Sequence, residues 1–167
     1  YSPTYYDELE RDIELSAQSE RFVAVRYPRG CEKSGAEKEI SGDYTVFNGS
    51  GDKAIVTYGR IFQNAFEAQK KLPDITLIKL NKIYPVSDSL INEMQKYKEL
   101  HFFEEGIKNG GIAELCAARL LENGYGGKYT IHAIDNKFVP TAAVSAALKN
   151  AGLDTESMIN ALKGACK

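Results

Sequence analysis

The feature that most restricts the fold of this chain is an alternation that begins near residue 54. Short β-type apolar runs take turns with longer stretches of helical period. The runs are Ala54-Ile55-Val56-Thr57-Tyr58, Ile75-Thr76-Leu77-Ile78, Leu100-His101-Phe102-Phe103 and Tyr129-Thr130-Ile131-His132-Ala133-Ile134. Between the first two, Ile61, Ala65, Ala68 and Leu72, joined by Phe62 and Phe66, mark one face of a helix that Pro73 ends. Ser87 then caps a helix with Leu90, Met94 and Tyr97 inward, and Gly110-Gly111 lead into another with Ile112, Leu115, Cys116 and Leu120 inward. Pro140 opens a further helix that Gly152 closes, and a last one starts at Asp154 or Thr155 with Met158, Ile159 and Leu162 inward. Strands separated by helices form βαβ units, whose right-handed crossovers cover both faces of a parallel sheet. The predicted fold is α/β, an open and mainly parallel sheet with helices on both faces.

Upstream the pattern changes. Thr4 is placed to cap a helix through about Gln18, with Leu9, Ile13 and Ala17 as its apolar stripe and Asp7 at capping-box spacing. Phe22-Val23-Ala24-Val25 reads as a strand covered on both faces, stopped by Arg26-Tyr27-Pro28-Arg29-Gly30. Residues 31–52 are rich in Glu, Lys, Gly and Ser, and only Tyr44-Thr45-Val46-Phe47 has strand character. The division expected is therefore 1–30 as the final helix and strand of a neighbouring domain, 31–52 as a linker with a short antiparallel edge strand, and 53–167 as the α/β domain. On this reading the chain is the C-terminal part of a larger cytosolic enzyme. Once severed, its first thirty residues should expose Phe22, Val23 and Val25.

Composition narrows the function classes. Twenty-one Lys and Arg stand against twenty-three Asp and Glu, whereas nucleic acid and acidic membranes are normally met by a basic excess. No apolar run approaches the roughly 20 residues that span a bilayer, and residues 1–4 have no signal-peptide pattern. Cys31, Cys116 and Cys166 are scattered, with no CxxC. The expectation is free cytoplasmic thiols, with neither a zinc site nor a disulfide framework.

Several residues carry chemistry in principle. Gly59-Arg60 sits at a βα turn but within no GxGxxG or Walker sequence, so a tight turn into a helix accounts for it better than a phosphate cradle does. Glu104 and Glu105 end the third run, where open α/β sheets bind ligands. As neighbours on a strand they point to opposite faces and so do not form one acid–base pair. Gly106, Gly110 and Gly111 surround a helix start suited either to an anion or simply to turn geometry. His101 and His132 have no partner at useful spacing and read as packed or surface residues. Arg26 and Arg29 flank a strand end, where a guanidinium fork suits phosphate as well as it suits solvent at a domain junction.

The segment Val23-Ala24-Val25-Arg26-Tyr27-Pro28-Arg29-Gly30 resembles the stretch that closes the pyrimidine-binding domain in the 1-deoxy-D-xylulose-5-phosphate synthases, thiamine-diphosphate enzymes of the transketolase family. The resemblance continues in order through nearly the whole chain. Ala54 to Leu72 is similar to the first strand and helix of the transketolase C-terminal domain. Phe103-Glu104-Glu105-Gly106 with Gly110-Gly111 is similar to its EEG…GG turn, and Phe138-Val139-Pro140 with Gly152-Leu153-Asp154 to its last helical segment. Two places depart. Lys79-Leu80-Asn81-Lys82 stands where the synthases carry Asp-x-Arg-Phe, and Asp135-Asn136 stands where they carry Pro-Asp.

The resemblance implies a homodimeric enzyme that condenses pyruvate with glyceraldehyde 3-phosphate with loss of CO2, using thiamine diphosphate and Mg2+ held by upstream regions. It implies that this part, inactive alone, carries no catalytic, cofactor or metal residue, and makes contacts with the rest of the enzyme and with a second copy. Arg29 is carried over as the first ligand of the aldehyde phosphate and Arg26 as the second. A transketolase or 2-oxoacid dehydrogenase β subunit remains open, as do a non-catalytic dimerisation module and, less well matched, a free nucleotide-binding domain.

Overall fold

A computed structural model describes residues 1–28 and 42–164. Helix α1 (Tyr6–Ala17) comes first. It is followed by strands β1 (Tyr44–Phe47) and β2 (Lys53–Tyr58), helix α2 (Phe62–Lys71), β3 (Thr76–Leu80), α3 (Asp88–Met94), β4 (Glu99–Ile107), α4 (Ile112–Glu122), β5 (Lys128–Ile134), α5 (Val144–Asn150) and α6 (Thr155–Leu162). One 3-10 turn, Gly59–Ile61, joins β2 to α2.

The five strands form one sheet in the order β1-β3-β2-β4-β5. Neighbours among β2 to β5 run parallel, while β1 lies antiparallel on the edge with Tyr44 opposite Leu80. This is the doubly wound arrangement that the alternation predicts. The central strands read as continuous apolar runs because both faces are covered. Ala54, Val56, Ile78, Leu100 and Phe102 pack beneath α3 and α4 with Leu90, Met94, Cys116 and Leu120. The intervening residues Ile55, Leu77 and Phe103 face Phe62, Ala65, Ala68, Met158 and Ile159 of α2 and α6. At about 25 cal/mol per Å2 of apolar surface, such two-sided burial is the main force holding the sheet together.

Three local expectations fail, each for a physical reason. First, α1 begins at Tyr6, and its cap residue Tyr5 makes no side-chain cap bond. Thr4 instead donates its hydroxyl to the Gly59 carbonyl at 3.0 Å, and the carboxylate that returns to the Thr4 N–H is Glu8 at 2.7 Å, not Asp7. The helix also faces the opposite way. Glu8 and Asp12 are its buried residues, while Ile13 is 53% and Leu15 44% exposed. Second, Phe22–Val25 is extended but is not a strand covered on both faces. Its single rung is to Tyr1, which donates to the Ala24 carbonyl at 2.8 Å and accepts from the Arg26 N–H at 3.0 Å. Phe22 is fully exposed and Val23 is 37% exposed. Val25 is half-buried and the rest of the segment is exposed, and among the described residues no second strand pairs with it, so the apolar pattern alone does not make a ladder. Third, the helix expected from Pro140 starts at Val144 and has no buried residue. Gly152 closes it as expected, at φ +72, with the Leu153 N–H bonded to the Leu148 carbonyl.

Candidate functional site

In a doubly wound sheet a ligand crevice opens where successive crossovers leave for opposite faces. Here that point lies between the carboxyl ends of β2 and β4, since α2 covers one face and α4 the other. The chain fills this crevice itself. The N-terminal residues lie over Gly59, which holds φ +62 and has room for no side chain, because a Cβ there would lie 2.6 Å from the Ser2 hydroxyl. Ser2 and Tyr5 are both buried.

The anion site at the start of α4 is occupied as well. Glu104, 1% exposed, accepts hydrogen bonds from the Ile112 N–H at 3.1 Å, the Ala113 N–H at 3.3 Å and the Tyr58 hydroxyl at 2.8 Å. The free N–H groups and positive end of a helix usually attract a ligand anion; here an internal carboxylate answers them. Gly111, the N-cap residue, has to be glycine, since a Cβ would stand 2.1 Å from Glu104 Oε1. Burial, with the adjacent Glu104 carboxylate second, pushes the Tyr58 phenol far up, so it stays a hydrogen-bond donor.

Glu105 points to the other side, as strand geometry predicts. Its carboxylate receives Arg60 in a two-pronged ion pair, through Nε at 3.0 Å and through Nη2. Its backbone carbonyl accepts from Arg26 Nη2. Arg26 is exposed, and the Arg60 and Glu105 side chains are 32% and 28% exposed. The structure thus brings Arg26 to the carboxyl edge of the sheet, beside Arg60. Arg29, the other expected phosphate ligand, lies outside the described residues.

Beneath α1 lies a buried polar network that sequence reading does not anticipate. Lys79 Nζ donates to Glu8 Oε1 at 2.6 Å and to Asn81 Oδ1 at 3.2 Å, with both charged side chains 1% exposed. Asn81 Nδ2 donates to Thr45 Oγ1 at 3.1 Å. Burial pulls the Lys79 pKa down and Glu8 opposes that shift. Asp12 is fully buried. One of its oxygens takes Arg11 in a 2.8 Å ion pair, and the other has no hydrogen-bond partner.

A second network corrects the reading of the histidines as isolated. The parallel register sets Phe103 opposite His132 and brings His101 Nδ1 within 3.0 Å of His132 Nε2. His101 Nε2 lies 3.1 Å from Glu99 Oε1, and Glu99 also receives Lys128 at 2.6 Å and Lys53 at 2.8 Å. A carboxylate only accepts, so His101 Nε2 carries a proton and Nδ1 accepts from His132 Nε2–H. Phe103 stacks on His132 with ring centres 4.2 Å apart. Hydrogen bonds from Lys128 and Lys53 pull Glu99 down to about 2; burial, and then the neighbouring His101, pull His132 down to about 4. Both rings are neutral near pH 7.

Among the described residues no three His, Cys, Asp or Glu side chains stand together as metal ligands, and no helix is long and apolar enough to cross a membrane. Burial pushes the Cys116 thiol up to about 12, which removes it as a nucleophile.

The fold and its crevice define a class: a doubly wound α/β domain whose switch point is occupied, among the described residues, by its own Ser2, Thr4 and Glu104. The chain belongs to the family described as Transketolase, C-terminal domain, which matches residues 45–158. Among curated proteins it is 30% identical over 172 residues to the 1-deoxy-D-xylulose-5-phosphate synthase of Clostridium perfringens, and 31% identical over 156 residues to that of Campylobacter hominis. These matches cover 96% and 87% of this chain but 28% and 26% of the relatives. The chain therefore spans somewhat over a quarter of their length. Among solved structures its fold is similar to "Split gene transketolase, inactive beta4 tetramer", with TM-score 0.79 and 21% identity over 99% of this chain and 56% of that one. It is also similar to a transketolase from Campylobacter jejuni, with TM-score 0.68 and 10% identity, covering 98% of this chain and 26% of that one.

Proposed function

We propose that this chain supplies the C-terminal region of a 1-deoxy-D-xylulose-5-phosphate synthase, an enzyme that joins pyruvate to glyceraldehyde 3-phosphate with loss of CO2. Residues 1–30 are then the end of the pyrimidine-binding domain, and the chain's work is to hold that domain and a second copy of the enzyme while offering guanidinium groups to the aldehyde phosphate. The observation that carries this reading is the orientation of α1. A helix lying against water on one side puts its carboxylates outward and its apolar residues inward. This one buries Glu8 and Asp12 and turns Tyr6, Ile13 and Leu15 outward, and Phe22 and Val23 further along are exposed as well. Such a surface calls for a further layer of protein, and the synthase relatives have nearly three quarters of their length to provide one.

Thiamine diphosphate and Mg2+ are the cofactors of the intact enzyme on this reading. The described residues do not fit them. The buried helix start of α4, where a diphosphate could dock, already holds Glu104, and no carboxylate cluster is present for the metal. The cofactor chemistry thus belongs to the remainder of the enzyme. This chain's share is electrostatic positioning, through Arg26 and Arg29.

The departure at residues 79–82 favours one second reading, a sister enzyme of the family. Lys79 and Asn81 are fully engaged in the α1 junction and are not free for substrate. Assay of the assembled enzyme separates the two. Turnover of pyruvate with glyceraldehyde 3-phosphate supports the synthase, and turnover only of other ketol donors supports the sister enzyme. In the assembled synthase, Arg26→Ala or Arg29→Ala is expected to raise KM for glyceraldehyde 3-phosphate by about tenfold or more, with KM for pyruvate nearly unchanged. Equal effects on both substrates count against the phosphate role.

A further inference from the structure

The Arg26–Glu105–Arg60 cluster holds more positive charge than its own ion pair uses. Arg60 commits Nε and one Nη to the Glu105 carboxylate. Arg26 commits one Nη to the carbonyl of the same residue, and its guanidinium also lies beside the Tyr58 hydroxyl. Each guanidinium has five N–H donors, more than its partners among the described residues take up, so donors on both can face an incoming group. The two are anchored on opposite parts of a single residue, one on its backbone carbonyl and one on its carboxylate. Arg60 and Glu105 are partly solvent-exposed and Arg26 is exposed, so the notch is open to solutes. It sits at the outer lip of the switch-point crevice, whose interior Ser2, Thr4 and Glu104 close.

We propose that Arg60 is a second phosphate-binding guanidinium and that Glu105 gates it. A phosphate monoester dianion bridges Arg26 and Arg60 by drawing Arg60 away from Glu105. This rests on the reading that a phosphorylated substrate docks at Arg26, and it adds a residue and a selectivity that the reading does not contain. A monoanion such as chloride or acetate gains too little from two forks to displace a carboxylate already held in bidentate fashion. A dianion with three free oxygens can engage both forks at once. Glu105 thereby makes the notch selective for phosphate over common monoanions.

The test is a titration of the full chain with inorganic phosphate at constant ionic strength, read on the arginine Nε–H resonances. A second arm uses glyceraldehyde 3-phosphate to separate free phosphate from a phosphorylated sugar as the source. The Arg26 and Arg60 resonances are expected to shift together and saturate with one Kd, while chloride and acetate move neither. Glu105→Gln, which removes the competing charge and keeps the shape, should tighten Kd by about tenfold, and Arg60→Met should weaken it by about as much or more. An Arg60 resonance that stays still while Arg26 responds overturns the proposal, as does a Kd that neither variant changes. If Arg60→Met fails to fold, the Glu105→Gln titration and the Arg60 resonance of the unaltered chain decide the matter. Kinetics of the assembled enzyme keep the two ideas apart. Arg26→Ala raising the triose phosphate KM while Arg60→Met leaves it unchanged retains the synthase reading and sinks this one. Phosphate held at Arg60 without any kinetic effect of Arg26→Ala does the reverse.

Discussion

Replacing Lys79 with methionine removes the ammonium from a site where it is 1% exposed and lies 2.6 Å from an equally buried Glu8 carboxylate. Methionine fills most of the lysine volume, so the change is mainly one of charge. Glu8 is left out of water with the Thr4 N–H still bonded to it. Breaking a buried pair by deleting one member costs about 3 kcal/mol or more, because the surviving charge is uncompensated. For a chain of this size that corresponds to a fall in Tm of roughly 6 °C or more. The pair joins α1 to β3, so the loss should be felt in α1 first. Amide exchange in α1 should accelerate on the order of 100-fold, with β2 and β4 far less affected. The double variant Glu8→Leu/Lys79→Met replaces both charges with apolar groups and is expected to recover most or all of the stability, since a buried pair gains little over a hydrophobic contact. Urea denaturation followed by circular dichroism, together with peptide-resolved hydrogen exchange, gives both quantities. A Lys79→Met chain within about 0.5 kcal/mol of the parent, or a double variant worse than either single one, refutes the reasoning.

Two further outcomes are expected. His132 has its pKa held at about 4, first by burial and then by His101. The unfolded chain therefore takes up a proton from about pH 6.5 downward while the folded chain does not, and stability falls as pH drops from 6.5 toward 4. Allowing for the partial solvation of the ring, the loss is about 2 kcal/mol; urea titrations at pH 7 and 4.5 should show it, and His132→Asn should flatten the dependence. Gly111→Ala sets a Cβ 2.1 Å from Glu104 Oε1 and 2.8 Å from the Ile107 carbonyl, so thermal denaturation should register a loss of about 2 kcal/mol, and an unchanged Tm would remove Glu104 as the anchor of α4.

The sheet was legible because its signals are local. Val56, Leu77 and Phe102 lie in short apolar runs, and Pro73, Ser87 and Gly152 punctuate the helices between them. The edge strand Tyr44–Phe47 was readable for the same reason. Phe22 and Val23 are exposed, as expected of a segment severed from its neighbour, whereas Val25, expected with them, is half-buried. What stayed hidden depends on register and on distant partners. The partner of Glu8 is Lys79, 71 residues away, and no helical period reveals that a carboxylate face will turn inward to meet a buried ammonium. His101 and His132 are 31 residues apart and meet only because β4 and β5 pair in one register. Glu104 was seen at the right strand end and Gly111 at the right helix start. That one fills the other's anion site could have been inferred by asking which internal carboxylate lies within reach of a glycine-capped helix. Arg60 was noted only as part of a turn, because its partner Glu105 lies 45 residues further on.

Glu104 and Glu105 are successive residues with opposite duties, and a single peptide plane joins them. The inward one seats a helix, while the outward one answers to whatever solute approaches the surface. One short stretch of backbone thus sets both where α4 begins and where the rim's ion pair stands, because successive strand residues leave on opposite sides.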